Sequence, residues 1–241
     1  MTKRKFNPIS VAIVGQGNVG FHLYHELLKT TDIRVEQFNS RKKKSLKAFD
    51  VAIIAVSDNA IAEVSKYIKA RLVVHTSGST NIDVLENETR KGVFYPLQSF
   101  TKEKTVDFSK IPICGEAKTK EDNNTLESLA SRLRSSYYQI GSEERKYIHV
   151  AAVFVNNFTN HMFKTAHDIL EEHHIPNNIL MPLIKETVEK IDRLTPEEAQ
   201  TGPAIRNDEK TIQNHLTLLN DSQKELYKAI TESIQKNGEK L

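Results

Sequence analysis

Six residues near the start of the chain, Gly15-Gln16-Gly17-Asn18-Val19-Gly20, place three glycines at a spacing that can hold a phosphate group. They follow the apolar run Ile9–Val14 and open the amphipathic stretch Val19–Lys29, which is the order strand, turn, helix. Here the first glycine permits a tight turn, the second lets the backbone approach a pyrophosphate, and the third lets helix and strand pack closely. The free N–H groups at the helix start attract the phosphates. The pattern predicts a dinucleotide site formed by all six residues.

The residues after the next apolar run indicate which dinucleotide would fit. The run Ile33–Phe38 is followed by Asn39-Ser40-Arg41 and then by Lys42–Lys44. An NAD site typically places Asp or Glu here to bind the ribose 2′-hydroxyl, whereas Glu36 falls before the expected position. A small polar pair followed by arginine suits a 2′-phosphate, because the guanidinium can bind its oxygens as a fork. We therefore predict NADP, bound in part by this tripeptide; a solvated basic turn is the alternative.

Polar residues also follow three later apolar runs. The three segments are Val56-Ser57-Asp58, His75–Ser79 and Tyr95–Ser99. Because the carboxyl ends of parallel strands meet at one edge of a sheet, where ligands of such folds bind, we expect Val56, Ser57 and Ser77 to contact the cofactor. His75 can carry or release a proton near neutral pH, so it is a candidate catalytic residue. A histidine that bonds to the backbone at the sheet edge is an equally good interpretation.

A stretch after about residue 142 carries the other candidate catalytic groups. Apolar residues at three- and four-residue steps predict one long helix, on which His149, Asn156 and Asn160 share a face. Because Val150–Phe158 is apolar nearly all round, we expect it to be buried and its amides to need partners. A substrate, the nicotinamide carboxamide or neighbouring helices could supply those partners.

Two further groups in the rear half could bind a ligand. Arg206 lies in a predicted loop and is a candidate catalytic-site anchor for a substrate carboxylate; a simple surface arginine is nearly as good an interpretation. His167, Glu171 and His174 have the spacing of metal ligands on a helix. A histidine just before Ile175-Pro176 equally fits the negative end of a helix dipole. We predict no metal site.

The front half of the chain alternates short apolar runs with helix-like stretches that would position these groups. Runs rich in Val and Ile and bounded by Gly, Ser, Asn or Asp are typical of buried strands. The predicted strands are Ile9–Val14, Ile33–Phe38, Val51–Val56, Leu72–Val74, Gly92–Tyr95, Ile111–Cys114 and Tyr137–Ile140. The predicted helices are Val19–Lys29, Asn59–Lys69, Ile82–Lys91 and Lys120–Ser135. The alternation predicts an α/β fold with a mostly parallel sheet covered by helices on both faces.

The rear part of the chain is predicted to be helical throughout. Further helices at about 177–194, 208–218 and 221–237 follow the long one, and prolines mark the joins. We therefore predict a dinucleotide-binding domain at 1–141, followed by an all-α domain for substrate binding and dimerisation at 142–241.

Composition narrows the classes of function. Residues 1–150 carry 24 Lys+Arg and 17 Asp+Glu, a net of +7, and residues 151–241 carry 10 and 14, a net of −4. This division predicts a locally basic cofactor site beside an acidic unit, rather than a nucleic-acid-binding protein. The single cysteine, Cys114, fits a cytoplasmic location. The apolar runs are too short for a membrane span, so we expect no membrane partner.

Together these segments resemble a group of NADP-linked Rossmann oxidoreductases. The group includes pyrroline-5-carboxylate reductase, deazaflavin-dependent NADP reductase, ketopantoate reductase and 6-phosphogluconate dehydrogenase. The chain is most similar to an uncharacterised bacterial branch of that group. The segments that carry the resemblance are Gly15–Gly20, Asn39-Ser40-Arg41, His75–Ser79, Tyr95–Phe100, Asn156–His161 and Thr201-Gly202-Pro203.

The resemblance implies a Rossmann-type domain followed by a helical domain like the C-terminal one of 6-phosphogluconate dehydrogenase. It also implies a homodimer whose helical domain closes the active site. The expected activity is hydride transfer between NADP(H) and a small oxo- or imino-substrate in the cleft between the domains. The chain departs from the group where a lysine followed four residues later by asparagine is usual, because the long helix offers His149 instead. A non-catalytic NADP(H) sensor or scaffold is the alternative function.

Overall fold

The computed structural model describes residues 8–42 and 45–238 and contains one seven-stranded sheet. The strand order is β2-β1-β3-β4-β5-β6-β7, so the chain starts near one edge and crosses to the other. The strands are β1 (Ile9–Val14), β2 (Ile33–Phe38), β3 (Val51–Ile54), β4 (Leu72–His75), β5 (Arg90–Pro96), β6 (Ile113–Ala117) and β7 (Tyr137–Gln139). The first two strands have the predicted bounds, and the other five lie within a few residues of theirs.

Helices cover both faces of the sheet, as predicted. They are α1 (Asn18–Leu27), α2 (Ile61–Ser65) and α3 (Lys120–Arg132). On one face Leu23 of α1 and Leu129 of α3 join a buried cluster with Val11 and Ile13. On the other face Ile61 of α2 packs in a cluster with alternate residues of β1, such as Ala12 and Val14. Strands buried on both sides explain why their sequences are continuously apolar.

The sheet is parallel except where β6 runs against β5. Pro96 at the end of β5 pairs with Ile113 at the start of β6, so the chain turns back at the carboxyl edge of the parallel strands. The amide of Leu97 donates to the carbonyl of Pro112 at 2.9 Å and closes the long connection. This antiparallel pair is the exception within the predicted mostly parallel sheet, which is otherwise confirmed.

The predicted helix at Ile82–Lys91 is wrong. The structure has a short 3₁₀ turn at Ile82–Val84, and the Asp83 amide donates a hydrogen bond to the Asn81 side chain. Strand β5 begins already at Arg90. The Asn87 side chain donates to the Thr89 carbonyl at 3.0 Å and shapes the turn into that strand. Asparagine side chains that bond to nearby backbone compete with helix formation, and this competition decided the local structure.

The rear part of the chain is helical, as predicted. It contains α4 (Ser142–Ala152), a π-helical segment (Val153–Phe158), α5 (Thr159–Glu172), α6 (Met181–Lys190), α7 (Pro196–Ala199), α8 (Glu209–Thr217) and α9 (Asp221–Gly238), with a 3₁₀ turn at Asn177–Leu180. Asp208 caps α8 by accepting a hydrogen bond from the Thr211 amide at 3.1 Å. Among the described residues, no helix combines the length and apolarity that crossing a bilayer requires.

The chain forms two compact units, Met1–Asn157 and Phe158–Leu241. The division falls inside the π-helical segment, whereas the predicted boundary at residues 141 and 142 coincides with the start of α4. The expectation that Val150–Phe158 is buried is wrong: Val150 is 54% exposed and Val155 is 75% exposed. Apolarity all round this part of the helix reflects an exposed apolar surface and not a position inside the chain's own core.

Candidate functional site

A pocket of about 600 Å³ lies at the carboxyl edge of β1 and β3, and we call it the glycine-loop pocket. Its lining combines the loop after β1, the turn after β2 and the ends of β3 and β4. The lining residues are Gly15, Gln16, Gly17, Asn18, Val19, Ser40, Arg41, Ala55, Val56, Ser57, Ala60, Val64 and Thr76. Most of the residues predicted to bind the cofactor therefore surround one cavity.

The three glycines have three different structural roles. Gly15 has φ +128°, and a Cβ there would clash with the Ala55 carbonyl oxygen. A Cβ on Gly20 would lie 2.6 Å from the Gly15 carbonyl oxygen, so this glycine lets α1 approach the strand end. A Cβ on Gly17 would meet no protein atom within 4 Å. Protein packing thus requires the first and third glycines, while the space beside the second is open to a ligand.

The first turn of α1 presents unpaired N–H groups to this pocket. Its N-cap is Gly17, which has no capping side chain, and its first turn contains no acidic residue. The side-chain amide of Asn18, the first residue of α1, donates to the Phe100 carbonyl at 2.8 Å. Gln37 fixes the loop from the other side by donating to the Gly15 carbonyl at 3.0 Å. The arrangement suits an anion at the helix N-terminus.

The turn after β2 brings a cation to the same pocket. The Asn39 side chain accepts a hydrogen bond from the Arg41 amide at 2.9 Å, which makes a compact Asx turn. The exposed Arg41 and the partly exposed Ser40 line the pocket, whereas Asn39 shapes the turn without lining it. Glu36 lies instead 3.6 Å from Arg34. Lys43 and Lys44 of the predicted basic turn lie outside the described residues.

Short hydrogen bonds join the polar ends of β3 and β4. The Ser79 hydroxyl donates to the Asp58 carboxylate at 2.6 Å, and the Ser77 hydroxyl donates to Thr80 Oγ1 at 2.8 Å. Ser77 therefore bonds within its own turn and is absent from the pocket lining, where Thr76 takes its place. Sequence reasoning identified this segment but not the residue that faces the cavity.

A second cavity of about 550 Å³, which we call the apolar pocket, lies between the end of β5 and α4. Its lining is mainly apolar with a few hydroxyl, amide and imidazole groups. The lining residues are Tyr95, Leu97, Gln98, Ser99, Ile148, His149, Ala151, Ala152, Val153, Val155, Asn156 and Asn157. Among the described residues, no Asp, Glu, Lys or Arg lines this pocket.

Tyr95 and His149 meet at this pocket. The Tyr95 hydroxyl lies 3.4 Å from His149 Nδ1, and the two rings are arranged edge to face. A Cβ on Gly78 would lie 2.7 Å from both His149 Nδ1 and Tyr95 Cζ, so the loop after β4 packs directly on the pair. Burial is the main cause that raises the pKa of Tyr95, with the nearby Cys114 thiol adding to it. The phenol therefore keeps its proton at neutral pH.

His75 lies at the end of β4 but lines neither pocket. It is fully buried, and its Nδ1 accepts a hydrogen bond from the Ser77 amide at 3.1 Å. Burial, followed by the positive charge of Arg145, lowers the pKa of His75 to about 4. The ring is therefore neutral at physiological pH and is held by backbone, which was one of its two sequence interpretations.

Arg145 is a buried charge that the sequence analysis did not single out. Its guanidinium is fully buried and donates to the Glu116 carboxylate at 2.6 Å and to the Thr80 carbonyl at 2.6 Å. These bonds join α4 to β6 and to the loop after β4. The available signal was helical spacing, because Ser142, Arg145 and His149 follow one another at three- and four-residue steps on one face.

The remaining predicted site residues are exposed. Asn156 lines the apolar pocket, while Asn160 and Arg206 are exposed side chains of the second unit. The premise that the asparagines of this helix are buried is wrong, because Asn156, Asn157 and Asn160 all lie at the surface of the chain. Water can satisfy exposed amides, so their hydrogen-bonding need no longer argues for a ligand.

The possible metal ligands also lie at the surface. His167, Asp168 and Glu171 on α5 place their ligand atoms within 4.8 Å of one another. Lys164 binds Asp168 at 2.5 Å and competes for that carboxylate. The third residue of the spacing considered in the sequence, His174, is not part of this group.

Comparison with known proteins identifies a family for this chain but no relative of curated function. The family model described as a domain of unknown function, DUF2520, matches residues 111–234. Among proteins with curated functions, none matches the sequence.

A solved protein from Bacteroides fragilis, proposed to be an NADP oxidoreductase, is 35% identical, with a TM-score of 0.84 over 95% of this chain and 98% of its own. A Plasmodium falciparum pyrroline carboxylate reductase with bound NADP is 12% identical, with a TM-score of 0.62 over 97% of this chain and 98% of its own. An Aspergillus terreus reductive aminase in complex with NADPH is 11% identical, with a TM-score of 0.70 over 96% of this chain and 95% of its own. The last two show the shared fold, and the predicted Rossmann fold is confirmed.

Proposed function

The chain belongs to the DUF2520 family, and we propose that it is an NADP(H)-dependent oxidoreductase acting on a small oxo- or imino-substrate. The carrying observation is that Arg41, the turn after β2 and the open space at Gly17 belong to one pocket. The Bacteroides fragilis relative, itself proposed to be an NADP oxidoreductase, supports both the predicted activity class and the predicted cofactor.

The residues present fit a dinucleotide with a 2′-phosphate. The unpaired N–H groups of α1 and the open side of Gly17 would hold the pyrophosphate. Ser40 and Arg41 would bind the 2′-phosphate, since a guanidinium pairs with phosphate oxygens in a fork. Val56 and Ser57 would border the cofactor at the next strand end.

When bound, the nicotinamide would supply a hydride for the carbon of a C=O or C=N bond. The chain's own residues would bind the substrate, exclude water and deliver a proton to the oxygen or nitrogen. The apolar pocket fits this task because it combines an apolar lining with Tyr95, His149 and Asn156. Of the two predicted proton donors, this geometry favours His149 over His75, which is buried away from both pockets.

The roles of Asn160 and Arg206 remain predictions of substrate orientation and carboxylate anchoring. We propose a homodimer, because the second unit exposes Ile179, Leu183 and Val188 by 55–65%, and large exposed apolar surfaces mark association sites. Light scattering on the purified protein tests this assembly. A cytoplasmic location is also proposed, since Cys114 is a buried free thiol.

The experiment that tests the function compares NADPH and NADH binding by calorimetry in wild type, Arg41→Ala and Lys42→Ala. Loss of a charged hydrogen bond to the 2′-phosphate should weaken NADPH binding about 10- to 100-fold in Arg41→Ala. NADH binding and the Lys42→Ala control, whose exposed side chain does not line this pocket, should change little. Equal loss for both cofactors contradicts the assignment.

NADPH oxidation should then be followed with a panel of small oxo-acids, ketones and cyclic imines. Turnover of any of these supports the reductase. Tight NADPH binding without turnover across the panel would instead favour the sensor or scaffold alternative.

A further inference from the structure

We propose that Tyr95 is a catalytic residue of this reductase, whose hydroxyl donates the proton to the reacting oxygen or nitrogen while His149 resupplies it. The inference rests on the proposed function and identifies the group that touches the substrate. It assigns a direct role to a residue that the glycine-loop pattern and the helix spacing do not reach.

Tyr95 is the residue before Pro96, which ends β5, so it lies at the carboxyl edge of the same sheet that carries the glycine-loop pocket. Thr76 lines the glycine-loop pocket, and two residues later Gly78 packs on the rings of Tyr95 and His149. A single short loop therefore separates the proposed cofactor site from the Tyr95–His149 pair.

Among the described residues that line the apolar pocket, Tyr95 and His149 carry the ionisable groups that can transfer a proton. Serine and amide side chains can donate hydrogen bonds there but are far weaker acids. Burial keeps the Tyr95 phenol protonated by raising its pKa, so the donor form is present across the neutral range.

The Tyr95 hydroxyl lies 3.4 Å from His149 Nδ1, a long contact of the kind that often tightens only when substrate binds. With hydrogen on Nδ1, His149 donates to the phenol oxygen, and the phenol hydrogen is free to point into the pocket. His149 is half-buried, so it can exchange its own proton with water.

The proposed step reduces a carbonyl or an imine. As a hydride from NADPH forms the new C–H bond and the C=X π bond breaks, the Tyr95 O–H proton passes to X, where X is oxygen or nitrogen. As the tyrosinate oxygen takes the Nδ1 proton of His149, the Nε2 of His149 takes a proton from solvent, so the imidazole is neutral before and after the transfer, and exchange with water then returns hydrogen to Nδ1. NADPH is oxidised to NADP⁺, and the carbonyl or imine is reduced to an alcohol or amine.

A bound ketone can report this hydrogen bond without turnover. Acetophenone labelled with ¹³C at the carbonyl is titrated into the protein with NADP⁺ present, and its C=O stretch is read by difference infrared spectroscopy. The ketone should bind with a Kd on the order of millimolar, as expected for so few atoms in an apolar site. Its stretch should move to lower frequency in wild type.

The test variant is Tyr95→Phe, and the matched control is Tyr147→Phe. The control removes the same hydroxyl group from an exposed tyrosine on α4. Tyr95→Phe should bind the ketone within about threefold while its C=O stretch returns to the value in apolar solvent. Tyr147→Phe should behave as wild type. A stretch that is unchanged in Tyr95→Phe overturns the proposal, as does failure of the ketone to bind.

Two further readouts separate this proposal from its premise. Two-dimensional ¹H–¹⁵N spectra of the imidazole nitrogens should show hydrogen on His149 Nδ1 in the ketone complex, and this preference should be lost in Tyr95→Phe. Hydrogen only on Nε2 contradicts the relay. NADPH affinity should be the same in Tyr95→Phe as in wild type, so a failure of the cofactor assignment would appear in the Arg41 experiment instead.

Discussion

The two pockets at the carboxyl edge of the sheet are built from different parts of the polypeptide. The glycine-loop pocket is shaped by backbone, with Gly15 and Gly20 packed against carbonyl oxygens and the start of α1 left uncapped. The apolar pocket is shaped by side chains, where Tyr95 and His149 meet over Gly78 although their segments are far apart in sequence.

This difference matches two different tasks. A backbone-lined pocket with one open glycine can hold groups common to all dinucleotides, so its pattern appears in a short stretch of sequence. A pocket made of side chains from several segments can differ in every relative and so determines which molecule reacts. If the two pockets act independently, a substitution in one of them should leave ligand binding in the other unchanged.

The largest effect is expected from backbone substitution in the glycine-loop pocket. Gly15→Ala should lower the free energy of unfolding by about 3 kcal/mol or more, because φ is +128° and the new Cβ meets the Ala55 carbonyl. Gly17→Ala is the matched control, since φ is −70° and no protein atom lies near its Cβ. Its stability should stay within about 0.5 kcal/mol of wild type.

The same pair of variants separates folding from binding. Gly17→Ala should weaken NADPH binding about tenfold because its methyl group would occupy the approach to the pyrophosphate. Urea unfolding and calorimetry measure the two quantities. If Gly17→Ala bound NADPH as wild type does, the pyrophosphate would not lie at this loop.

The next effect concerns His75, which is fully buried at the end of β4. Its pKa is about 4 in the folded chain against an ordinary value of 6.5, so the unfolded state binds the proton first as pH falls. The contribution of neutral His75 to the free energy of unfolding is fully present above about pH 6.5 and is lost as the pH falls towards 4. The loss between about pH 7 and 5 should be about 2 kcal/mol.

His75→Asn is the variant that isolates this titration. Its side-chain oxygen can still accept the Ser77 amide, but it does not titrate. Unfolding curves at several pH values should show a shallower loss of stability for the variant between about pH 7 and 5. Parallel curves for the two proteins would mean that the folded His75 titrates normally.

A smaller stability effect is expected where the loop after β4 touches the apolar pocket. Gly78→Ala should cost about 1 kcal/mol, because the methyl group displaces two ring ends that can move aside. It should nevertheless abolish the carbonyl shift of bound acetophenone by separating Tyr95 from His149. NADPH binding should be retained, and a matching loss of NADPH affinity would show that the two pockets are not independent.

The sequence predicted most of the first pocket and little of the second. The pattern of Ile9–Val14 and the following glycines can be recognised locally, because the strand, the turn and the helix are contiguous in sequence. Each glycine allows a backbone conformation or a close approach to the backbone. The strand bounds of β1 and β2 and the turn at Arg41 followed from the same local reasoning. Antiparallel β6 did not follow, because strand direction depends on pairing across the long 97–112 connection.

The second pocket needed tertiary contacts. His149 was identified by spacing, but its partner Tyr95 lies 54 residues earlier and meets it only in the folded chain. Burial was misjudged on this helix, where apolar Val155 is exposed. The sequence made no prediction for Arg145, which is fully buried and donates hydrogen bonds to Glu116 and Thr80. Helical periodicity shows which residues share a face, but it does not show what that face contacts.

The smallest predicted effect concerns the charge of the substrate and decides between two residues. Because no charged side chain lines the apolar pocket in the described part of the chain, acetophenone should bind more tightly than its para-carboxylate by about threefold. Competition between the two ketones, read by the infrared shift with NADP⁺ present, measures this ratio. The opposite preference, lost in Arg206→Ala, would show that Arg206 anchors a carboxylate as its sequence position suggested. A ratio that favours the uncharged ketone and is unchanged in Arg206→Ala would assign recognition to the apolar lining alone.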